Sequence, residues 1–377
     1  MPANPFTYEE PLAPDDLIDR EQERSLLVEL AEAGHNTRLV GPRRFGKTTL
    51  LGAVGAELAR RRMVAVYVDC SRTTALEDVI VRLRRAWQRA LGKSTRRLER
   101  TWRQLDRRVS TSVTVGVPGL ASLTATRAAS AASEAGLFEA LHVLLDAPLA
   151  VRESSGKQSF VVFDEFHDLL TARDDLDGIL RSHAQHQRDA ASYCFAGSQA
   201  SAMRALFSDR RRPLFEQARG VKLGPLDGAL LAGWIEDRFA ARGRPVEPEA
   251  ISGLMAAVGG HPQRAMMVAH FLWAERRRNA TGLERALHEA IREAADGLEQ
   301  TWASLTAVQR RTLSAAAEGH ERLLAGASLT RAQVGKATMQ SARKSLIADG
   351  HLLEVAGGAV RVADPFFGLW LAEGRMR

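Results

Sequence analysis

Residues 37–51 read Thr37-Arg38-Leu39-Val40-Gly41-Pro42-Arg43-Arg44-Phe45-Gly46-Lys47-Thr48-Thr49-Leu50-Leu51. The first four have the look of a short strand. From Lys47 to Arg62 apolar residues recur at helical spacing with no proline, so a helix is expected there. Between strand and helix lies Gly41-x-x-x-x-Gly46-Lys47-Thr48, the full pattern of a phosphate-binding P-loop. Its glycines let backbone N–H groups turn inward around phosphate oxygens, and the following helix adds its positive end. Lys47 would place an ammonium on the β- and γ-phosphates, and the Thr48 hydroxyl is a magnesium ligand. The nucleotide contacts expected from this loop are Gly41, Pro42, Arg43, Arg44, Phe45, Gly46, Lys47, Thr48 and Thr49.

The second signal lies downstream, at Phe160-Val161-Val162-Phe163-Asp164-Glu165. An apolar strand that ends in two acids is weak evidence alone, because such acids often only cap a loop. Coupled to a P-loop upstream, Asp164 reads as the magnesium carboxylate and Glu165 as the base that polarises an attacking water. Further strands are expected at Met63–Asp69, Tyr193–Ser198 and Val221–Leu223, alternating with helices such as Leu76–Leu91. That alternation means an α/β fold with a parallel sheet covered on both faces.

Residues 93–108 are strongly basic, with Leu98, Trp102 and Leu105 as an apolar stripe at helical spacing. Val113, Val115 and Val117 then alternate with small or polar residues before Pro118-Gly119, which predicts an inserted β-hairpin over 110–126. From Gly228 to about Gly297 the chain reads as all-helical. The last stretch reads as helix, short helix, helix and a two-stranded hairpin turning at Ala356-Gly357-Gly358. Three units are expected: 1–227 as core with the insertion at about 93–127, 228–297 as a helical lid, and 298–377 as a winged helix-turn-helix.

The bulk numbers exclude several classes. The 377 residues are 45% hydrophobic and 26% charged, as in ordinary globular proteins. Cys70 and Cys194 stand far apart without metal-ligand spacing, which fits a reducing cytosol and a cytoplasmic location. There is no membrane-length apolar run and no signal-peptide pattern at Met1-Pro2-Ala3-Asn4-Pro5. The net charge is +7, yet residues 1–35 hold nine acids against two arginines, so the body is more basic still. That body suits nucleic acid, nucleotide or an acidic partner, or is simply an arginine-rich solvated surface.

Ser198, at a strand end, is the candidate sensor of the γ-phosphate or lytic water, or else a plain turn serine. Arg210, Arg211, Arg212 and Arg219 follow; Arg212 and Arg219 are the candidates to stabilise transition-state charge on a neighbouring subunit, or belong to a solvated basic loop. Gly259-Gly260-His261-Pro262 interrupts the helical region, where His261 and Pro262 would lie against the nucleotide or merely turn the chain. His183 and His186 read as surface residues.

Taken in order, these motifs resemble a known family. Gly41 to Leu51 is similar to the "GPRRxGKTSLL" loop of archaeal-type P-loop ATPases, which lie close to STAND ATPases and AAA+ origin-recognition proteins. Asp164-Glu165-Phe166 resembles their "DEF" motif, with His167 where glutamine is usual. Ala196-Gly197-Ser198, Pro213-Leu214-Phe215 with Leu223-Gly224-Pro225-Leu226, Gly260-His261-Pro262 and Asp364-Pro365-Phe366-Phe367-Gly368-Leu369-Trp370-Leu371 resemble later motifs of the family. The resemblance implies an ASCE-type five-stranded sheet of order 5-1-4-3-2, a lid and a C-terminal winged helix. It implies Mg²⁺-dependent ATP binding and hydrolysis coupled to domain movement. Its alternatives are an ATP-switched DNA-binding regulator, with Arg343 and Lys344 on the recognition helix, and an oligomerising signalling or defence switch. Arg264 is the nearest match to a second-sensor arginine. The implied partners are ATP and ADP, duplex DNA, and a protein partner or further copies of the chain, without a membrane.

Overall fold

The computed structural model describes residues 3–92, 96–114 and 134–372. Helix α1 (Glu21–Glu32) leads into β1 (Thr37–Val40), and the P-loop then opens α2 (Lys47–Arg60). Next come β2 (Val64–Asp69), α3 (Leu76–Leu91), α4 (Arg96–Thr114), α5 (Glu134–Leu145), α6 (Ala147–Ser155) and β3 (Ser159–Asp164). α7 (Phe166–Ala172), α8 (Leu176–His186), β4 (Ala191–Gly197), α9 (Ala200–Ser208) and β5 (Arg219–Lys222) complete the α/β part. All five strands pair in parallel in the order β2-β3-β4-β1-β5, which is the expected 5-1-4-3-2.

The central strands explain the layering. Every residue of β3 and β4 is buried, as a parallel sheet between two helical layers requires. Their side chains alternate between two cores. Val161, Phe163, Tyr193 and Phe195 join Val79, Leu83 and Trp87 of α3 on one face. Phe160, Val162 and Cys194 join Leu27 of α1 and Leu50 and Val54 of α2 on the other. The P-loop helix is thereby clamped to the sheet, and strand ends carry Asp164 and Ser198 to the same edge as the loop.

The basic stretch forms α4, with Leu98, Trp102, Leu105 and Val109 buried and Arg96, Arg97, Arg100 and Arg103 exposed. The expected hairpin does not begin at residue 110, because α4 continues to Thr114. The spacing 98, 102, 105, 109 already carries the helical period into that stretch. The rest of that hairpin lies outside the described residues.

Beyond the sheet come α10 (Gly228–Ala240), α11 (Pro248–Val258), α12 (Pro262–Ala274) and α13 (Ala280–Ser304). They are followed by α14 (Ala307–Ala317), α15 (Gly326–Ala332), α16 (Lys336–Ala348), β6 (Leu352–Glu354), β7 (Val360–Val362) and α17 (Pro365–Ala372). β6 and β7 pair antiparallel, Leu352 opposite Val362. Residue 297, taken from the sequence as a boundary, falls inside α13. A single exposed glycine costs a helix only about 1 kcal/mol, and α13 has stronger anchors at both ends. Leu283, Ala290 and Ile291 pack with α11 and α12, whereas Trp302 lies 5.9 Å from the Phe367 ring and 6.2 Å from Trp370. One hydrophobic core therefore runs from α10 to α17, and it also takes in Phe6 and Ile18 from the N-terminal segment.

Candidate active site

Gly46 caps α2 with φ +84°, a left-handed conformation that suits glycine, and no atom stands within 4 Å of where its Cβ would be. Lys47 is buried, and its Nζ donates to the Gly41 and Pro42 carbonyls at 2.9 and 3.0 Å. Burial pushes the ammonium below its usual range, while Glu165 and Asp164 pull the other way. The ammonium lies 3.9 Å from Glu165 Oε1.

Asp164 ends β3 beside Thr48, whose Oγ1 donates to Asp164 Oδ2 at 3.2 Å. The Tyr67 hydroxyl donates to the same oxygen, and the Glu165 amide donates to Oδ1 at 3.0 Å. Burial raises the Asp164 carboxyl above the ordinary carboxylate range, against the Tyr67 hydrogen bond. Glu165 takes a left-handed backbone, φ 50°, at the start of α7. Such a conformation costs a residue with a side chain about 1–2 kcal/mol, and the environment must hold it there. Ser198 does so, donating from its amide and its Oγ to Glu165 Oε2 at 2.9 and 2.8 Å. One carboxylate oxygen is therefore fixed and the other faces Lys47.

These groups open on a cavity of 550 Å³, within the range of nucleotide-sized sites. Lys47, Thr48 and Glu165 line it, together with the apolar Leu12, Leu17, Ile18, Leu226, Pro262 and Met266 and the charged Glu9, Arg43 and Arg44. A polar cavity of 890 Å³ adjoins it across the loop, bordered by Ser198, Gln199, α13 and the C-terminal unit. Among the described residues there is no cluster of three or more His, Cys, Asp or Glu side chains fit for a metal. Thr48 and Asp164 are hard oxygen donors, one hydroxyl and one carboxylate. That is the small protein share Mg²⁺ takes when phosphates and waters complete its shell.

No protein-family model matches the chain, and no curated protein sequence matches it. Solved structures do. The Walker-type ATPase of Pyrococcus abyssi superposes with a TM-score of 0.69 at 19% identity, over 97% of this chain and 99% of that one. The ORC2 protein of Aeropyrum pernix, solved in ADPNP–ADP complexes, gives 0.62 at 17% identity, over 97% and 95%. The chain has the fold of the AAA+ Walker-type ATPases. Among the described residues, no helix of this AAA+ fold is long and apolar enough to cross a membrane.

The remaining sequence candidates scatter within that AAA+ fold. Pro262 lines the nucleotide-sized cavity, but His261 does not. His261 caps α12, its Nδ1 accepting from the Arg264 amide at 3.3 Å, and it packs edge-on against Phe45 at 4.7 Å. Burial pushes its pKa down to about 4. Arg264 is buried and forms a two-pronged pair with Asp364, Nε to Oδ1 at 3.0 Å and Nη2 to Oδ2 at 2.5 Å. Arg212 lies 3.5 Å from the buried carboxylate of Asp177, away from the loop. Arg219 begins β5 opposite Thr37, at the sheet edge remote from the P-loop. Neither arginine joins the site within this chain. His183 is not a free surface residue: its two ring nitrogens contact Asp146 and His142 at 2.8 Å each. Arg343 donates to Glu354 at 2.9 Å, while Lys344 is exposed. Cys70 and Cys194 are both free and buried.

Sequence reasoning missed Tyr67 and the N-terminal Leu12, Leu17 and Ile18. The last three had a faint signal, as apolar positions in an otherwise acidic segment. It also missed the setting of His167, which lies 3.6 Å from Glu165 and 3.5 Å from Asp168 and whose ring nitrogens make no hydrogen bond among the described residues.

Proposed function

We propose that this chain is a Mg²⁺-dependent ATPase whose nucleotide state sets the pose of the helical lid and a C-terminal winged-helix unit. The observation that supports it is convergence: Lys47, Thr48 and Glu165 line one cavity together with apolar side chains, and Asp164 accepts a hydrogen bond from Thr48 beside them. The apolar part of the lining would suit a purine, and the loop a triphosphate. Lys47 would exchange its bonds to the Gly41 and Pro42 carbonyls for phosphate oxygens. Thr48 and Asp164 would hold Mg²⁺, which supplies charge neutralisation on the phosphates. Glu165 would take the proton of the attacking water as the new P–O bond forms and the bond to the β-phosphate oxygen breaks. Ser198 keeps that carboxylate aimed.

Coupling to the C-terminal unit has a physical path. Three residues beyond Ser198, the Ser201 hydroxyl donates to the Ala348 carbonyl at the end of α16, at 3.0 Å. A shift at the strand end on hydrolysis would reach α16 through this contact. The test is phosphate release by the Glu165→Gln variant, with ATP binding measured in parallel. Turnover is expected to fall by at least about 100-fold while binding persists. Turnover at the wild-type rate removes Glu165 from the base role.

A DNA-contacting role for α16 is the second reading. Lys336, Gln340 and Lys344 are exposed at four-residue spacing on one face of α16. A face of this kind can lie along a major groove. A mobility shift on duplex DNA that weakens steeply with salt supports it. No shift at low salt, with or without ATP, removes it.

A further inference from the structure

The loop after β2 is wired more tightly than a connection requires. Asp69 pairs in register with Asp164, so this loop leaves the sheet beside the magnesium carboxylate. The Ser71 amide and hydroxyl both donate to Asp69 Oδ1, at 2.9 and 2.6 Å. The Thr73 hydroxyl donates to the Cys70 carbonyl at 2.6 Å, and Arg82 Nη1 donates to the Asp69 carbonyl at 2.8 Å. Between these anchors Arg72 takes φ 55°, a region that residues with side chains seldom visit. Its amide donates to Asp168 Oδ2 at 2.8 Å, which ties the loop to the helix that follows Glu165. Strain held by so many bonds is characteristic of functional positions.

The wiring fixes where the Arg72 side chain begins. Arg72 lines the nucleotide-sized cavity beside Thr48 and Glu165, and it also lines the adjoining polar cavity that Ser198 borders. The junction of the two cavities is where a γ-phosphate held by Lys47 and facing Ser198 would lie. Arg72 is exposed, and among the described residues its guanidinium has no ion pair or hydrogen bond. Arg212 is committed to Asp177 and Arg219 sits at the remote sheet edge, so neither supplies this charge from within the chain.

We propose that Arg72 binds the γ-phosphate of ATP and stabilises the charge that develops as it is transferred to water. The inference rests on the ATPase reading above. Arginine suits the task because its planar fork stays charged and pairs with two phosphate oxygens at once. Because ADP lacks the γ-phosphate, Arg72 would also let the site tell ATP from ADP.

The experiment uses the full chain with Mg²⁺. It compares wild type, Arg72→Ala, Arg72→Lys and, as a control, Arg85→Ala on the exposed face of α3. Single-turnover ATP hydrolysis, equilibrium binding of ATP and of ADP, and the unfolding midpoint are measured. Arg72→Ala is expected to slow hydrolysis by at least about 100-fold. It should weaken ATP binding, leave ADP binding within about twofold and leave the unfolding midpoint in place. Arg72→Lys should recover part of the rate, and Arg85→Ala should match wild type. Hydrolysis by Arg72→Ala within about threefold of wild type overturns the inference alone. So does equal weakening of ATP and ADP, which is what a merely structural role would give. A wild-type chain that releases no phosphate overturns this inference and the ATPase reading together.

Discussion

Replacing Asp364 by alanine isolates what joins the C-terminal helix to the helix beside the nucleotide cavity. Asp364 accepts two hydrogen bonds from Arg264 and a third from the Phe366 amide at 3.1 Å. Arg264 Cζ also lies 4.6 Å from the centroid of the Phe366 ring. Burial alone would raise the Asp364 carboxyl, yet the Arg264 hydrogen bonds and charge, with His261 and the Phe366 amide, together outweigh it and hold the group below the usual carboxylate range. Removing one partner of a buried pair costs about 3–5 kcal/mol, because the other charge is left without compensation. Arg264 is 4% exposed, but Asp364 retains 31% exposure, which favours the lower figure, about 3 kcal/mol. Trp273, Trp302 and Trp370 belong to the core this pair joins, so denaturant unfolding followed by tryptophan fluorescence reads it directly. Asp364→Asn should lose less, because it keeps an acceptor for Phe366. Arg264→Met combined with Asp364→Leu should recover most of the loss, since no lone charge remains. A loss below about 0.5 kcal/mol in Asp364→Ala would refute the reasoning.

Acid should weaken the same region through His261. Its folded-state pKa, about 4, lies below the ordinary 6.5. Between those values the unfolded chain binds the proton and the folded chain does not, so stability falls as pH drops from 6.5 towards 4. The full loss is about 3 kcal/mol, and His261→Asn, which keeps a capping acceptor, should flatten the profile in pH-dependent denaturant titrations. Asp364, with its depressed pKa, adds a separate loss at pH values below the ordinary carboxylate range. Gly260→Ala should destabilise strongly, because its φ is +77° and a Cβ there would stand 2.4 Å from the Leu226 carbonyl oxygen. A melting temperature unchanged by that substitution would contradict the close approach.

The P-loop and the Asp164-Glu165 pair were legible in the sequence because their chemistry dictates residue type and spacing together. The sheet order was legible only through resemblance, since local periodicity does not say which strands are neighbours. The hairpin expected over 110–126 shows the limit of short alternation. At its start the spacing from Leu98 to Val109 sets a helix that runs to Thr114, and residues 115–126 lie outside the described residues. Arg212 and Arg219 were read as acting on a neighbouring subunit, and their places within this chain come only from its tertiary structure. Position in sequence places both near a strand, but only register reveals that Arg219 begins it at the remote edge. Only tertiary packing puts Arg212 on Asp177. His261 was read as a nucleotide contact. A residue before proline at a helix start is also an ordinary cap; the structure shows that cap and places His261 on the lining of the adjoining cavity. The apolar lining from Leu12, Leu17 and Ile18 had no periodicity to announce it, because these residues pack on distant parts of the chain: Leu17 on the core of α1 and α2, Leu12 and Ile18 on the helical core.

The most direct measurement is equilibrium retention of labelled ATP by the purified chain in the presence of Mg²⁺, for wild type and for Lys47→Ala. The account predicts saturable binding by wild type and a loss of at least about tenfold in affinity without the ammonium. Failure of wild type to retain the nucleotide, or equal affinity in the two proteins, would contradict it.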